Sequence, residues 1–204
     1  MRNEKREARM REIEAEAYAL FAAAGYDGTS MLAVAKRAKA SNETLYRWYG
    51  DKTGLFESMV RANAEKVQQA LRHAAEGEGA PLDVLERVAP VLLEMLLSDR
   101  AIALNKAAAS DVSGTLGKAL AKGGRETVLP LIEELMRSAI ESGSLAKPSH
   151  GTAGALFMSL LVGDRQIRRV IGALSEPSRD EIETQARVAI AQFRLLCASA
   201  TPAL

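Results

Sequence analysis

Along this chain apolar residues recur at intervals of three and four, almost never at two, and Ala, Leu, Glu and Arg dominate between them. That spacing lines up one face of an α-helix and is incompatible with half-buried strands. The four dominant residue types are also among those that lose least on entering a helix. The chain therefore reads as all-α, its helices separated by short Gly, Pro, Ser and Asp segments.

The punctuation orders the helices. A first is expected over 7–24, with Ile13, Ala17, Leu20, Phe21 and Ala24 as its apolar stripe and Gly25 placed for a left-handed cap. After the turn Tyr26-Asp27-Gly28, a second begins at Thr29 or Ser30 and turns Leu32, Val34, Ala35 and Ala38 inward. Ser41 caps a third over 42–48, and Asp51 or Thr53 caps a fourth that ends near residue 75. A linker-like turn at 76–81 precedes helices at 82–97, 100–109, 113–122 and 124–142. Beyond Lys147-Pro148-Ser149 come two long ones, 150–172 and 178–198, and then a tail at 200–204 that is expected to fray. The whole is an all-α arrangement of about nine helices.

Composition narrows the class. With 204 residues, 48% hydrophobic and 26% charged, the chain can bury a sizeable core. No run approaches the ~18 apolar residues of a membrane span. The opening MRNEKREARMREIEAEA is charged throughout and lacks the apolar centre of a secretory signal, so the cytoplasm is the expected location. The single cysteine, Cys197, permits no internal disulfide and reads as a small buried hydrophobe. Net charge is +1, with residues 1–52 at +2 and the rest at −1, so bulk charge does not announce a nucleic-acid partner. Any case for DNA has to rest on a motif.

That motif lies at 29–56, TSMLAVAKRAKASNETLYRWYGDKTGLF. Two short helices joined by a four-residue turn make a helix-turn-helix, whose second helix enters the major groove with its leading residues toward the bases. Leu45 is placed to pack back on Ala35 and Phe21, leaving Asn42, Glu43, Thr44, Arg47 and Trp48 outward. The stretch resembles the DNA-binding domain of the tetracycline-repressor (TetR) family. Thr29, Ala35-Lys36-Arg37-Ala38, Ser41, Thr44-Leu45-Tyr46, Tyr49, Lys52 and Leu55-Phe56 follow that family's pattern in order. Two positions depart from it: Lys39-Ala40 stands where Gly-Val is common, and Gly50-Asp51 replaces a Pro or Ser turn.

The resemblance implies an N-terminal three-helix DNA-binding domain at 1–53 and a C-terminal ligand-binding and dimerisation domain at 54–204. It implies a repressor that binds a palindromic operator in double-stranded DNA as a homodimer and is released by a small-molecule effector. Tyr46 and Lys52 would contact phosphates. Thr29 and Ser30 would offer hydroxyls and helix amides to another. Asn42, Glu43 and Thr44, behind the capping Ser41, would face bases, with Arg47 and Trp48 at the groove edge. Asn suits adenine, Glu a cytosine amine and Thr a thymine methyl. Arg2, Lys5, Arg6, Arg9 and Arg11 could add phosphate contacts. Blander readings stand beside these: Trp48 could staple the third helix to the first, Glu43 could serve only the helix dipole, and Lys36, Arg37 and Lys39 could form a solvated face.

In the second half, the 150–172 helix is apolar on more than one side, so it is expected to pack both on its own core and on a partner copy, with the apolar set of the 178–198 helix completing a four-helix contact. Phe157, Leu160, Leu161, Ile167, Ile182, Ala186, Ile190 and Phe193 are the candidate interface, or alternatively internal core. Met95, Leu96, Leu104, Leu135 and Met136, with Asn105 as a polar anchor, are candidates to enclose a largely apolar ligand. No cofactor, metal site or catalytic group is expected: His73 and His150 stand apart, and no Gly-rich phosphate loop follows a strand. The rival to a DNA-binding regulator is a helical sensing or interaction module whose helix-turn-helix is vestigial.

Overall fold

The computed structural model describes residues 2–76 and 80–198, the side chains at 2–3 and 74–76 excepted. Every regular element among them is helical. The first three are α1 (Arg2–Ala24), α2 (Met31–Arg37) and α3 (Asn42–Tyr49). There follow α4 (Lys52–Glu76), α5 (Pro81–Leu97), α6 (Asp99–Ser110) and α7 (Thr115–Leu120). A π-turn, Ala121–Arg125, leads into α8 (Glu126–Glu141), and the chain ends in α9 (Ala153–Val162), α10 (Arg165–Val170) and α11 (Arg179–Leu196). The tail at 200–204 and residues 77–79 of the turn at 76–81 lie outside the described residues.

Side-chain oxygens start several of these helices. Ser30, Ser41, Ser98, Thr152 and Ser178 each accept a backbone N–H from the first turn, an interaction worth about 1 kcal/mol apiece. Ser178 and Glu181 complete a reciprocal capping box. Asp51, not Thr53, accepts the Gly54 N–H at 2.8 Å at the start of α4. The first helix begins at Arg2 rather than 7, because its charged opening is made largely of good helix formers, Arg, Glu and Lys.

Two apolar cores organise the chain. The first joins α1 to α3 with the start of α4, and with Leu104, Ala107 and Leu116 from α6 and α7. The second joins the rest of α4 with α5, α8, α9 and α11. Helix α4 serves both, with Phe56, Met59 and Val60 in one and Ala64, Val67 and Leu71 in the other.

Three sequence expectations are corrected. Leu32 points outward, 65% exposed, because α2 presents Met31, Val34 and Ala35 to the core instead. The helix expected over 150–172 is two, since Gly163 adopts φ 53°, ψ −131°, a conformation open in practice to glycine. The chain then restarts as α10, whose buried Arg169 donates to the Leu97 carbonyl (3.0 Å) and pairs with Asp99 (2.6 Å). Finally, Phe157, Leu161, Ile182, Ala186, Ile190 and Phe193 lie inside this chain's own core, with Phe157 and Phe193 packed edge to face at 5.7 Å. They are therefore not available to a partner. Of that set only half-buried Leu160 and exposed Ile167 reach the surface.

Candidate nucleic-acid interface

Helix α3 is too short to persist alone, and packing holds it in place. Leu45 is fully buried and Tyr49 nearly so, both in the core that contains Phe21, Val34 and Ala35. The Tyr49 hydroxyl points at the Met10 carbonyl, 3.5 Å away. Anchoring 45 and 49 turns Asn42, Glu43, Tyr46 and Arg47 together into solvent. These four form one continuous stripe, each residue of the second pair lying one turn beyond a member of the first. Thr44 lies to the side, half-buried, its Oγ1 2.8 Å from Ser41 Oγ. Ser41 Oγ also accepts the Thr44 N–H at 3.0 Å, so these two hydroxyls build the helix start.

Several expected contact residues have work inside the fold. Thr29 is 2% exposed and its hydroxyl donates to the Gly25 carbonyl at 2.8 Å, so it offers nothing to a phosphate. Ser30 remains exposed while capping α2. The Lys52 ammonium donates to the carbonyls of Tyr26 (2.9 Å) and Thr29 (3.0 Å) and sits 4.1 Å from the centre of the Tyr26 ring. Lys52 thus rivets the turn before α2 to α4 and keeps one of its three N–H bonds for another partner. Trp48 is half-buried against the first core, with the Arg6 guanidinium 5.6 Å from its ring centre, so it ties α3 to α1.

Of the N-terminal cations, Arg9 is committed: it donates to the carbonyls of Ala38 (2.6 Å) and Lys39 (3.0 Å) where α2 ends. Arg37 pairs with Glu16 at 2.6 Å. Lys5, Arg11, Lys36 and Lys39 are exposed, and the Arg2 side chain lies outside the described residues. Lys39 holds φ 50°, the left-handed geometry that glycine would occupy more easily. The capping by Arg9 carries no pattern in sequence, because the two groups are 29 residues apart.

Beneath the helix-turn-helix, Glu14 is buried on α1 and accepts a 2.7 Å hydrogen bond from Ser58. Burial pushes its carboxyl above the ordinary glutamate value, against the opposing pull of Ser58, Arg61 and Arg100. Burial likewise raises the hydroxyls of Tyr18 and Tyr49 well above the usual phenol range.

A cavity of about 620 Å³ lies where α4, α6, α8 and α9 meet, walled mostly by Leu, Val, Met, Ile and Ala. Met95, Leu96, Leu104 and Asn105 line it as expected from sequence, but Leu135 and Met136 do not. Met136 is buried in the second core, and Leu135 packs against that core from outside. Asn105 spends its amide N–H on the Ala101 carbonyl at 2.8 Å. Leu104 and Val60 belong both to this wall and to the core that carries α3. No group of three His, Cys, Asp or Glu is placed to hold a metal among the described residues, and none of their helices is long and apolar enough to cross a membrane.

Residues 13–59 match the family described as bacterial regulatory proteins, tetR family. Residues 83–196 match the C-terminal domain of AefR-like transcriptional repressors. Among solved structures, a TetR-family transcriptional regulator of Mesorhizobium loti is 25% identical with a TM-score of 0.73, over 93% of this chain and 96% of that one. A TetR transcriptional regulator of Agrobacterium tumefaciens is 26% identical with a TM-score of 0.71, over 93% and 94%. The Bacillus subtilis regulator FadR, solved with stearoyl-CoA, shares the fold at 13% identity and a TM-score of 0.68, over 94% and 99%. No curated protein matches the sequence.

Proposed function

Since the chain belongs to the tetR family of bacterial regulatory proteins, whose members are DNA-binding transcriptional regulators that act as dimers, we propose that it is a repressor that grips a palindromic operator and lets go when a small, largely apolar ligand binds. One observation carries the DNA-reading part: a capped helix, anchored by Leu45 and Tyr49, holds Asn42, Glu43, Tyr46 and Arg47 together in solvent. Asn42 and Glu43 read base edges, Tyr46 and Arg47 flank them, and Ser30 and the free N–H of Lys52 meet phosphates. The functional division falls near residue 53: residues 1–53 read DNA in the cytoplasm, and 54–204 pair and sense.

Two half-sites a helical turn apart require a two-fold protein. The core side of α11 is used within the chain, so pairing falls to its opposite side. There Thr184, Val188, Ala191 and Leu195 are all exposed at helical spacing. Release follows from shared walls: a ligand in the cavity presses on α4 and α6, the same helices that close the core beneath α3. It acts only insofar as it prefers the spacing that does not fit the groove.

Selection from a random duplex pool tests the reading, and a palindrome is expected. Affinity for the selected site should fall steeply with salt, with a logarithmic slope of roughly −0.9 per phosphate contacted. Asn42→Ala should flatten preference at one base pair per half-site, by about 1–3 kcal/mol. Recovery of no sequence, with duplex affinity indifferent to salt, would leave a sensing module with a vestigial helix-turn-helix.

A further inference from the structure

The cavity carries a charge signature that DNA reading does not use. Among the described residues that line it there is no Asp or Glu, and Arg125 is the single cation. No hydrogen bond or ion pair engages the Arg125 guanidinium within the described residues, nor the amide of Asn63, which lines the same space. A built turn sets the position of Arg125. It ends the π-turn, and such widened turns often mark functional sites. The Thr127 hydroxyl holds that turn through the carbonyls of Gly123 (3.0 Å) and Gly124 (2.8 Å), and Gln68 of α4 donates to Thr127 Oγ1 at 3.1 Å. Gly123 lies so close to α4 that a Cβ would stand 2.8 Å from Val60 Cγ1. The turn, and the arginine with it, is thereby pressed to the rim of the apolar space.

We propose that the cavity takes an amphipathic organic anion: a carboxylate held by Arg125, on an apolar body lying along Leu92, Met95, Leu96, Val128 and Met158. This rests on reading the cavity as the effector site. A guanidinium matches a carboxylate with two parallel hydrogen bonds. Arg125 is exposed at the mouth of the apolar space, and no lining acid competes for the carboxylate. A neutral apolar ligand would fill the same volume and leave the arginine unused.

Calorimetry on the full chain tests this with four probes: decanoate and 4-phenylbutyrate, against decanol and 4-phenylbutanol. At least one acid should bind about tenfold or more tighter than its alcohol, as one charge-assisted hydrogen-bonded pair implies. Arg125→Gln should remove that preference and leave alcohol affinity within about twofold, while Arg125→Lys keeps the charge and falls between. Thermal melts of both variants check that the fold is kept. Equal affinity for acid and alcohol, acid affinity unmoved in Arg125→Gln, or no binding by any probe overturns the proposal. Duplex binding measured on the same preparations separates the two readings. A protein that selects a palindrome but shows no acid preference loses only the anion site, and one that prefers acids but ignores DNA loses the regulator reading instead.

Discussion

Lys39 is the one non-glycine among the described residues with a positive φ. It sits in the turn of the helix-turn-helix, where its own side chain makes no contribution to the left-handed geometry. Arg9, donating to the carbonyls of Ala38 and Lys39, compensates from α1. Lys39→Gly removes the backbone penalty at the cost of more freedom in the unfolded chain, and a net gain of about 0.5–1 kcal/mol is expected in thermal or denaturant melts. Glu14 gives a second prediction at this scale. Its folded carboxyl holds its proton more tightly than an unfolded one, because burial outweighs Ser58, Arg61 and Arg100. Its contribution to stability is therefore complete below the ordinary value of 4.5 and lost as pH rises through the raised one. Glu14→Gln should flatten that decline, so that melts at pH 5 and pH 8 differ less in the variant than in the parent.

Among the elements, α9 and α10 show how one residue divides a continuous apolar pattern. The sequence over 150–172 keeps helical spacing throughout, yet the chain turns at Gly163 and α10 is refastened elsewhere. Gln166 donates to the Leu96 carbonyl at 3.0 Å and Arg169 to that of Leu97, so two side chains one turn apart pin α10 to the end of α5. Gly163→Ala forces a side chain onto φ 53°, ψ −131°. A loss of about 1–3 kcal/mol is expected in denaturant melts. Because Gly163, Gln166 and Ile167 also line the cavity, the same variant should change probe affinity more than it changes duplex affinity. Helix α3 shows the opposite case: its eight residues hold a fixed orientation only because the Leu45 and Tyr49 side chains are buried.

For the whole molecule, the two cores meet in α4, and the cavity lies at that seam. Val60 and Leu104 are common to the cavity wall and the first core, so a ligand bound as proposed would bear on α3 without any separate transmitting device. The outer side of α11 carries exposed apolar residues, with Leu195 79% and Val188 44% exposed. Replacing both with Asp leaves this chain's core untouched and places charges where a second copy would have to bury them. Sedimentation should then show monomers. Affinity for a palindromic duplex should drop at least about tenfold, while binding to an isolated half-site should stay close to that of the parent. Dimers that persist in the double variant would move the interface to another face.

Local pattern determined the helical class, the glycine cap after α1 and the short helix that Ser41 caps and whose Leu45 faces inward. These depend on residues within a turn or two of one another, and such neighbours are adjacent in space in any fold that contains the helix. The outward set at 42, 43, 46 and 47 was largely legible for the same reason, Tyr46 by resemblance and the others by spacing. What needed the tertiary structure was each partner distant in sequence: Lys52 closing on Tyr26 and Thr29, Arg9 reaching Ala38, and Arg169 holding Leu97. The assignment of Phe157, Ile182 and Phe193 to this chain's interior rather than to a partner belongs with them. Apolar periodicity says that a helix face is covered and is silent on which surface covers it. Only the packing of α9 and α11 against α5 and each other decided which side of those helices stayed exposed.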